Sequence, residues 1–111
     1  MLVANWCRLN PEQHIYIRDK VHWKGAKDLE GHLTIRNGGE LKISCRTSIP
    51  KNGKITVEPG GRLILDGCRL HNACGDNWKG IELVGSGNSK GEVFYIGDYM
   101  IEDTGNFKGD L

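Results

Sequence analysis

The sequence predicts an all-β chain: a short right-handed parallel β-helix (a β-solenoid) of about three rungs, each roughly 22–30 residues long, with an N-terminal cap. Three observations point there. The chain holds 16 glycines against 3 prolines in 111 residues, with no Gly-X-Y period, which fits many tight turns between short strands. Apolar residues alternate with polar ones over short segments, and no long stripe at helical spacing occurs. Most specifically, the run GHLTIRNGGELKI, from Gly31 to Ile43, recurs without a gap as GKITVEPGGRLIL, from Gly53 to Leu65, 22 residues later.

The repeat defines the elements in order. Leu33, Ile35, Leu41 and Ile43 of the first copy match Ile55, Val57, Leu63 and Leu65 of the second, and Gly38-Gly39 match Gly60-Gly61. Alternation with a period of two turns one side of a strand inward and the other outward. Ile55 and Val57 are therefore expected inside, with Thr56 and Glu58 outside. Beyond Pro59-Gly60-Gly61, Leu63 and Leu65 are expected inside, with Arg62 and Asp66 outside. Pro59 fixes φ for a turn, and a following glycine accepts a positive φ. In an antiparallel meander that turn would be a hairpin loop. The constant offset favours a solenoid, in which each strand stacks in parallel on its equivalent at about 4.8 Å.

A looser third copy follows. Gly80-Ile81-Glu82-Leu83 carries the first-strand pattern and Gly91-Glu92-Val93-Phe94-Tyr95 the second. Gly85 to Lys90 reads as a surface loop between them, and Tyr99-Met100-Ile101 as a strand on a third face. Upstream, His14-Ile15-Tyr16-Ile17 is a further candidate strand. Residues 1–30 fit no repeat and are assigned to a cap over the first rung. Residues 31–111 are assigned to the rungs, and the whole forms a single domain.

Composition narrows the partners. Fifteen basic against 14 acidic residues give no reason to expect nucleic acid or an anionic membrane. No run of about 18 apolar residues exists, so no membrane span is expected. The opening residues, Met1 to Trp6, are too polar for a signal peptide.

The run GKITVEPGGRLILDGCRLHNACGDNWKGIEL resembles the right-handed parallel β-helix repeats, of the pectin-lyase-like kind, in large secreted bacterial surface proteins. The elements that carry the resemblance are Pro59-Gly60-Gly61 at a corner, Asp66-Gly67 before a polar third face, and Cys74-Gly75 through Trp78, Gly80 and Ile81 leading into the next rung. It covers Gly31 to about Ile101. The resemblance implies a protein secreted or displayed at the cell surface, in company with adhesion modules, and implies little about activity. Members of that kind are much longer than this chain.

Each candidate for chemistry has a plainer alternative. Cys7, Cys45, Cys68 and Cys74 form no CxxC pair, so a zinc ribbon is absent. Either two disulfides form, in one of three connectivities, or the thiols are buried as small hydrophobes. Cys45 and Cys68 fall at near-equivalent places one rung apart, and Cys68 and Cys74 enclose a short loop. The four histidines show no metal-binding spacing and read as surface residues. Trp78 offers a flat ring to a sugar, with Asp76 and Asn77 as polar neighbours, or else closes one rung onto the next. The outward charges alternate from rung to rung (Arg36 near Glu58, Glu40 near Arg62) as in ion pairs, and no column of three acids marks a polysaccharide-cleaving site. The expected function is thus a non-catalytic structural or display module of a secreted or cell-surface protein that self-associates through its terminal rung. The alternative is a polysaccharide-binding module, and behind it a fragment of a polysaccharide lyase or hydrolase. No catalytic residue, metal or cofactor is expected.

Overall fold

The computed structural model describes residues 9–104. Among the described residues a 3-10 turn at Pro11–Gln13 leads into twelve strands. They are β1 (Ile15–Ile17), β2 (Lys20–Trp23), β3 (Lys27–Asp28), β4 (Leu33–Ile35), β5 (Glu40–Ile43), β6 (Arg46–Ser48), β7 (Ile55–Val57), β8 (Arg62–His71), β9 (Ile81–Leu83), β10 (Gly85–Ser86), β11 (Ser89–Lys90) and β12 (Glu92–Ile101). Every pairing but the β10–β11 hairpin is parallel and links a strand to its equivalent one turn away. The architecture is a parallel β-solenoid of about three turns.

Three faces run along the coil. The first stacks β1, β4, β7 and β9. The second stacks β2, β5 and the leading halves of β8 and β12; the third stacks β3, β6 and their trailing halves. Stacking keeps the sequence repeat in register: Leu33 lies on Ile55, Ile35 on Val57, Leu41 on Leu63 and Ile43 on Leu65. All eight of these side chains have no exposed surface. Thr56 and Glu58 face outward and are half-buried, and Arg62 is exposed, as the alternation requires.

Within the segment assigned to the cap, β1–β3 stack in parallel on the coil. Ile15, Tyr16 and Ile17 pair with Leu33, Thr34 and Ile35, an offset of 33 − 15 = 18 residues, and Lys20 to Trp23 pair with Glu40 to Ile43, an offset of 20. The first rung is shorter than the 22-residue repeat, so it keeps the inward-outward alternation but does not align with the later copies without gaps. It covers β4–β6 by parallel pairing. The third face drifts the other way. Arg69 sits on Arg46 (offset 23) because Gly67, at a φ of 68°, adds one residue at the bend within β8. In β12, Gly97 and Asp98 shift the register once more.

The first corner is the tightest part of the coil. Gly38 and Gly60 adopt the same φ of 86°, and the Gly38 N–H donates to the Gly60 carbonyl at 3.1 Å. A Cβ on Gly39 would stand 2.3 Å from the Ile17 carbonyl oxygen, and on Gly91 2.1 Å from that of Val57. Both contacts are with backbone already committed to the ladder. We predict that Gly39→Ala costs about 1–3 kcal/mol, because the rungs must separate to admit a methyl group. A lowered urea midpoint with an unchanged slope measures it; no change would mean that the rungs are not locked at this corner.

Candidate functional site

Outward residues on the first face form three columns. His14, His32 and Lys54 precede their strands; Tyr16, Thr34, Thr56 and Glu82 occupy their centres; Arg18, Arg36 and Glu58 follow them. Alternation presents these residues outward because their neighbours Ile15, Ile17, Leu33, Ile35, Ile55 and Val57 turn inward. The His14 ring stacks on Tyr16 with centroids 4.4 Å apart, and its Nε2 lies 2.7 Å from Thr34 Oγ1. His32 Nδ1 accepts the Lys54 backbone N–H at 3.1 Å, which places the proton of the neutral ring on Nε2. Arg18 and Arg36 lie over the Tyr16 ring at 5.7 and 5.5 Å.

Two open grooves flank this stack. One, of about 410 Å³, is lined by His14, His32, Asn52, Lys54, Thr56 and Lys79, a set rich in hydrogen-bond donors. The other, of about 430 Å³, is lined by Arg18, Arg36, Asn37 and Glu58. Burial first, then the His14 ring and the Lys54 charge, lower the pKa of His32.

Seven carboxylates are engaged across rungs. Arg36 meets Glu58 at 3.2 Å, Lys42 meets Asp66 at 3.3 Å, Lys54 meets Glu82 at 2.8 Å and Arg69 meets Glu102 at 2.6 Å. Arg46 meets Asp28 at 3.3 Å, and Arg62 lies between Glu40 and Glu92 at 3.9 and 3.8 Å. Among the described residues no three His, Cys, Asp or Glu side chains converge as a metal site would require. No helix among them is long and apolar enough to cross a membrane.

The structure distributes the expected site residues differently from a sugar platform. Asp76 and Asn77 are exposed, but Trp78 beside them is 2% exposed and closes the coil. Its Nε1–H donates to the Glu102 carbonyl at 2.6 Å and its backbone N–H to that of Asp103 at 2.9 Å, tying the turn after β8 to the end of β12. A ring buried this way has no face to offer a sugar. The turn before it is built on Asn72, which no motif in the sequence singles out. Asn72 is buried, donates to the Ile49 carbonyl at 2.9 Å, and accepts from the backbone N–H groups of Cys74 and Asp76 at 2.8 and 3.0 Å.

Cys45 and Cys68 are buried free thiols on neighbouring rungs. Burial, then Cys45 and Asp66, push the Cys68 thiol up to about 11, so it is not a nucleophile at neutral pH. Cys74 is disulfide-bonded. Cys7 lies outside the described residues.

His71, read from the sequence as a surface residue, is 7% exposed, and its Nε2 lies 2.9 Å from Arg46 Nη1. Arginine only donates, so this nitrogen accepts and the ring is neutral.

Comparisons with protein-family models, with curated proteins and with solved structures return no match.

We predict that Trp78→Ala lowers stability by about 3–5 kcal/mol, the usual cost of emptying a buried aromatic site, and chemical denaturation measures it. An unchanged midpoint would contradict a packed ring. The buried histidine sets a dependence on pH. Burial, then Arg69 and Arg46, lower the pKa of His71. The unfolded chain therefore takes up a proton that the folded chain resists, and stability falls as pH drops below about 6.5. Urea midpoints at pH 7.5 and 5.5 should show that loss, and it should shrink in His71→Gln; an equal loss in the variant would remove His71 as the cause.

Proposed function

We propose that the chain is a non-catalytic structural module, a stack of β-helix rungs of the pectin-lyase-like type that spaces or displays parts of a secreted or cell-surface protein. The observation that carries this reading is the use of seven outward carboxylates by cations of the adjacent rung. Hydrolysis of a glycosidic bond needs two carboxylates facing one substrate across a set gap, and a lyase needs a free base beside the acidic sugar. Asp28, Glu40, Glu58, Asp66, Glu82, Glu92 and Glu102 are each held by Lys or Arg. Such pairs fix the register of neighbouring rungs, which suits a stiff spacer.

A second reading, polysaccharide binding, draws support from the donor-rich groove of His14, His32, Lys54 and Lys79, which suits a carboxylate or sulfate group better than a neutral sugar. One experiment separates the readings. The chain is incubated with neutral, uronate-containing and sulfated polysaccharides, and both cleavage and retention are followed. The structural reading expects intact polymers and no retention. Retention of an acidic polymer, weakened about tenfold in a Lys54→Ala/Lys79→Ala variant, would establish the second reading; release of new reducing ends or unsaturated products would overturn both.

A further inference from the structure

We infer that the two ends of the coil bind each other, so that a second copy of this chain stacks head to tail on the last rung; the inference rests on the structural-module reading above. In the resulting contact β1 and β2 of the second copy lie in parallel on β9 and the leading half of β12. Four observations converge on this occupant.

First, among the apolar residues packed against the core, those left half-buried belong to the two end rungs. Ile15, Val21 and Trp23 lie at one end, and Leu83, Val93, Tyr95 and Ile101 at the other. Their equivalents in the two middle rungs, such as Leu33, Leu41, Ile43, Val57, Leu63 and Leu65, have no exposed surface. Second, among the described residues β1 and β9 are the edges of the first face, and β2 and β12 have strands on one side only. Each presents backbone groups of the kind that templates another strand.

Third, the register that runs through the molecule extends across the gap. The inward columns read Ile15–Leu33–Ile55–Ile81 and Val21–Leu41–Leu63–Val93, so a next copy would place Ile15 on Ile81 and Val21 on Val93. Fourth, the charges continue in sequence. The column Lys20–Glu40–Arg62–Glu92 alternates in sign at every step, and its open end is acidic where the other end is basic. Lys20 of a second copy therefore falls on Glu92, where it continues the alternation. A contact between two different ends does not close on itself, so it generates an open series rather than a fixed dimer.

The test uses the full chain and light scattering over a wide concentration range. Wild type should show a mass that rises with concentration. Glu92→Lys and Lys20→Glu each place like charges across the contact and should associate about threefold to tenfold more weakly. Mixed at equal amounts, the two variants regain opposite charges at every junction between unlike copies: the native pair at one junction and the reversed pair at the next. The mixture should therefore gain mass at concentrations where neither variant does so alone. Val21→Lys, checked for folding by circular dichroism, should abolish association. A constant monomer mass in wild type overturns the inference, as does a rise that all three variants reproduce. Neither result bears on the spacer reading, which falls only on the polysaccharide experiment.

Discussion

Parallel stacking of each strand on its own equivalent, one turn earlier, is the constraint from which the rest of this structure follows. A parallel ladder spaced at about 4.8 Å leaves each inward side chain facing one of similar size above and below. Leu41 on Leu63 and Ile43 on Leu65 meet that demand, and a slip of one residue would turn every one of them to solvent. The corners obey the same spacing. Gly39, Gly61 and Gly91 stand where a Cβ would enter the preceding rung's backbone, so the chain can approach closely only with glycine there. Apolar identity on the strands and glycine at the corners are thus two consequences of one spacing.

The ion pairs take a secondary part. All of them lie at the surface, where a single pair contributes little to stability. Their common property is direction: each joins one rung to the next rather than running along a strand. Arg36 and Glu58, 22 residues apart, meet because the inward column fixes their height, and a shifted register would break the match between partners. They therefore favour one register over its alternatives more than they add to the free energy of folding.

How much of this was legible in the sequence depends on the spacing of each rung. The two copies with a constant offset of 22 led to the right strands, faces and inward residues, down to Glu58 beside Arg36. The stacking of Ile15 to Asp28 on the coil was hidden because its offsets are 18 and 20 rather than 22. The candidate site was less legible. A tryptophan beside Asp and Asn looks the same in sequence whether its ring is presented or buried, and only the ladder contact with Asp103 and Glu102 decides it. Asn72 and His71 escaped for a related reason. Their partners, Ile49 and Arg46, lie 23 and 25 residues away, on a face where the period has drifted from 22.

The middle and end rungs differ in what holds them. In a stack where each rung contacts only its neighbours, an inner rung is stabilised from two sides and an end rung from one. Local opening therefore begins at the ends, where Trp23 and Tyr95 are only partly covered. The last rung has compensation that the first lacks among the described residues. Trp78 inserts beneath it and donates to two of its carbonyls, Asn72 donates its backbone N–H to the Asp103 carboxylate at 2.9 Å, and Arg69 pairs with Glu102. These contacts gather on the third face and leave β9 and the leading half of β12 held mainly by the ladder. The part of the last rung that is least tied down is thus also the part with open edges, half-covered Leu83 and Val93, and the unbalanced end of the charge column. In the proposed head-to-tail contact, one added strand layer would pair its backbone, cover its side chains and complete its charges together.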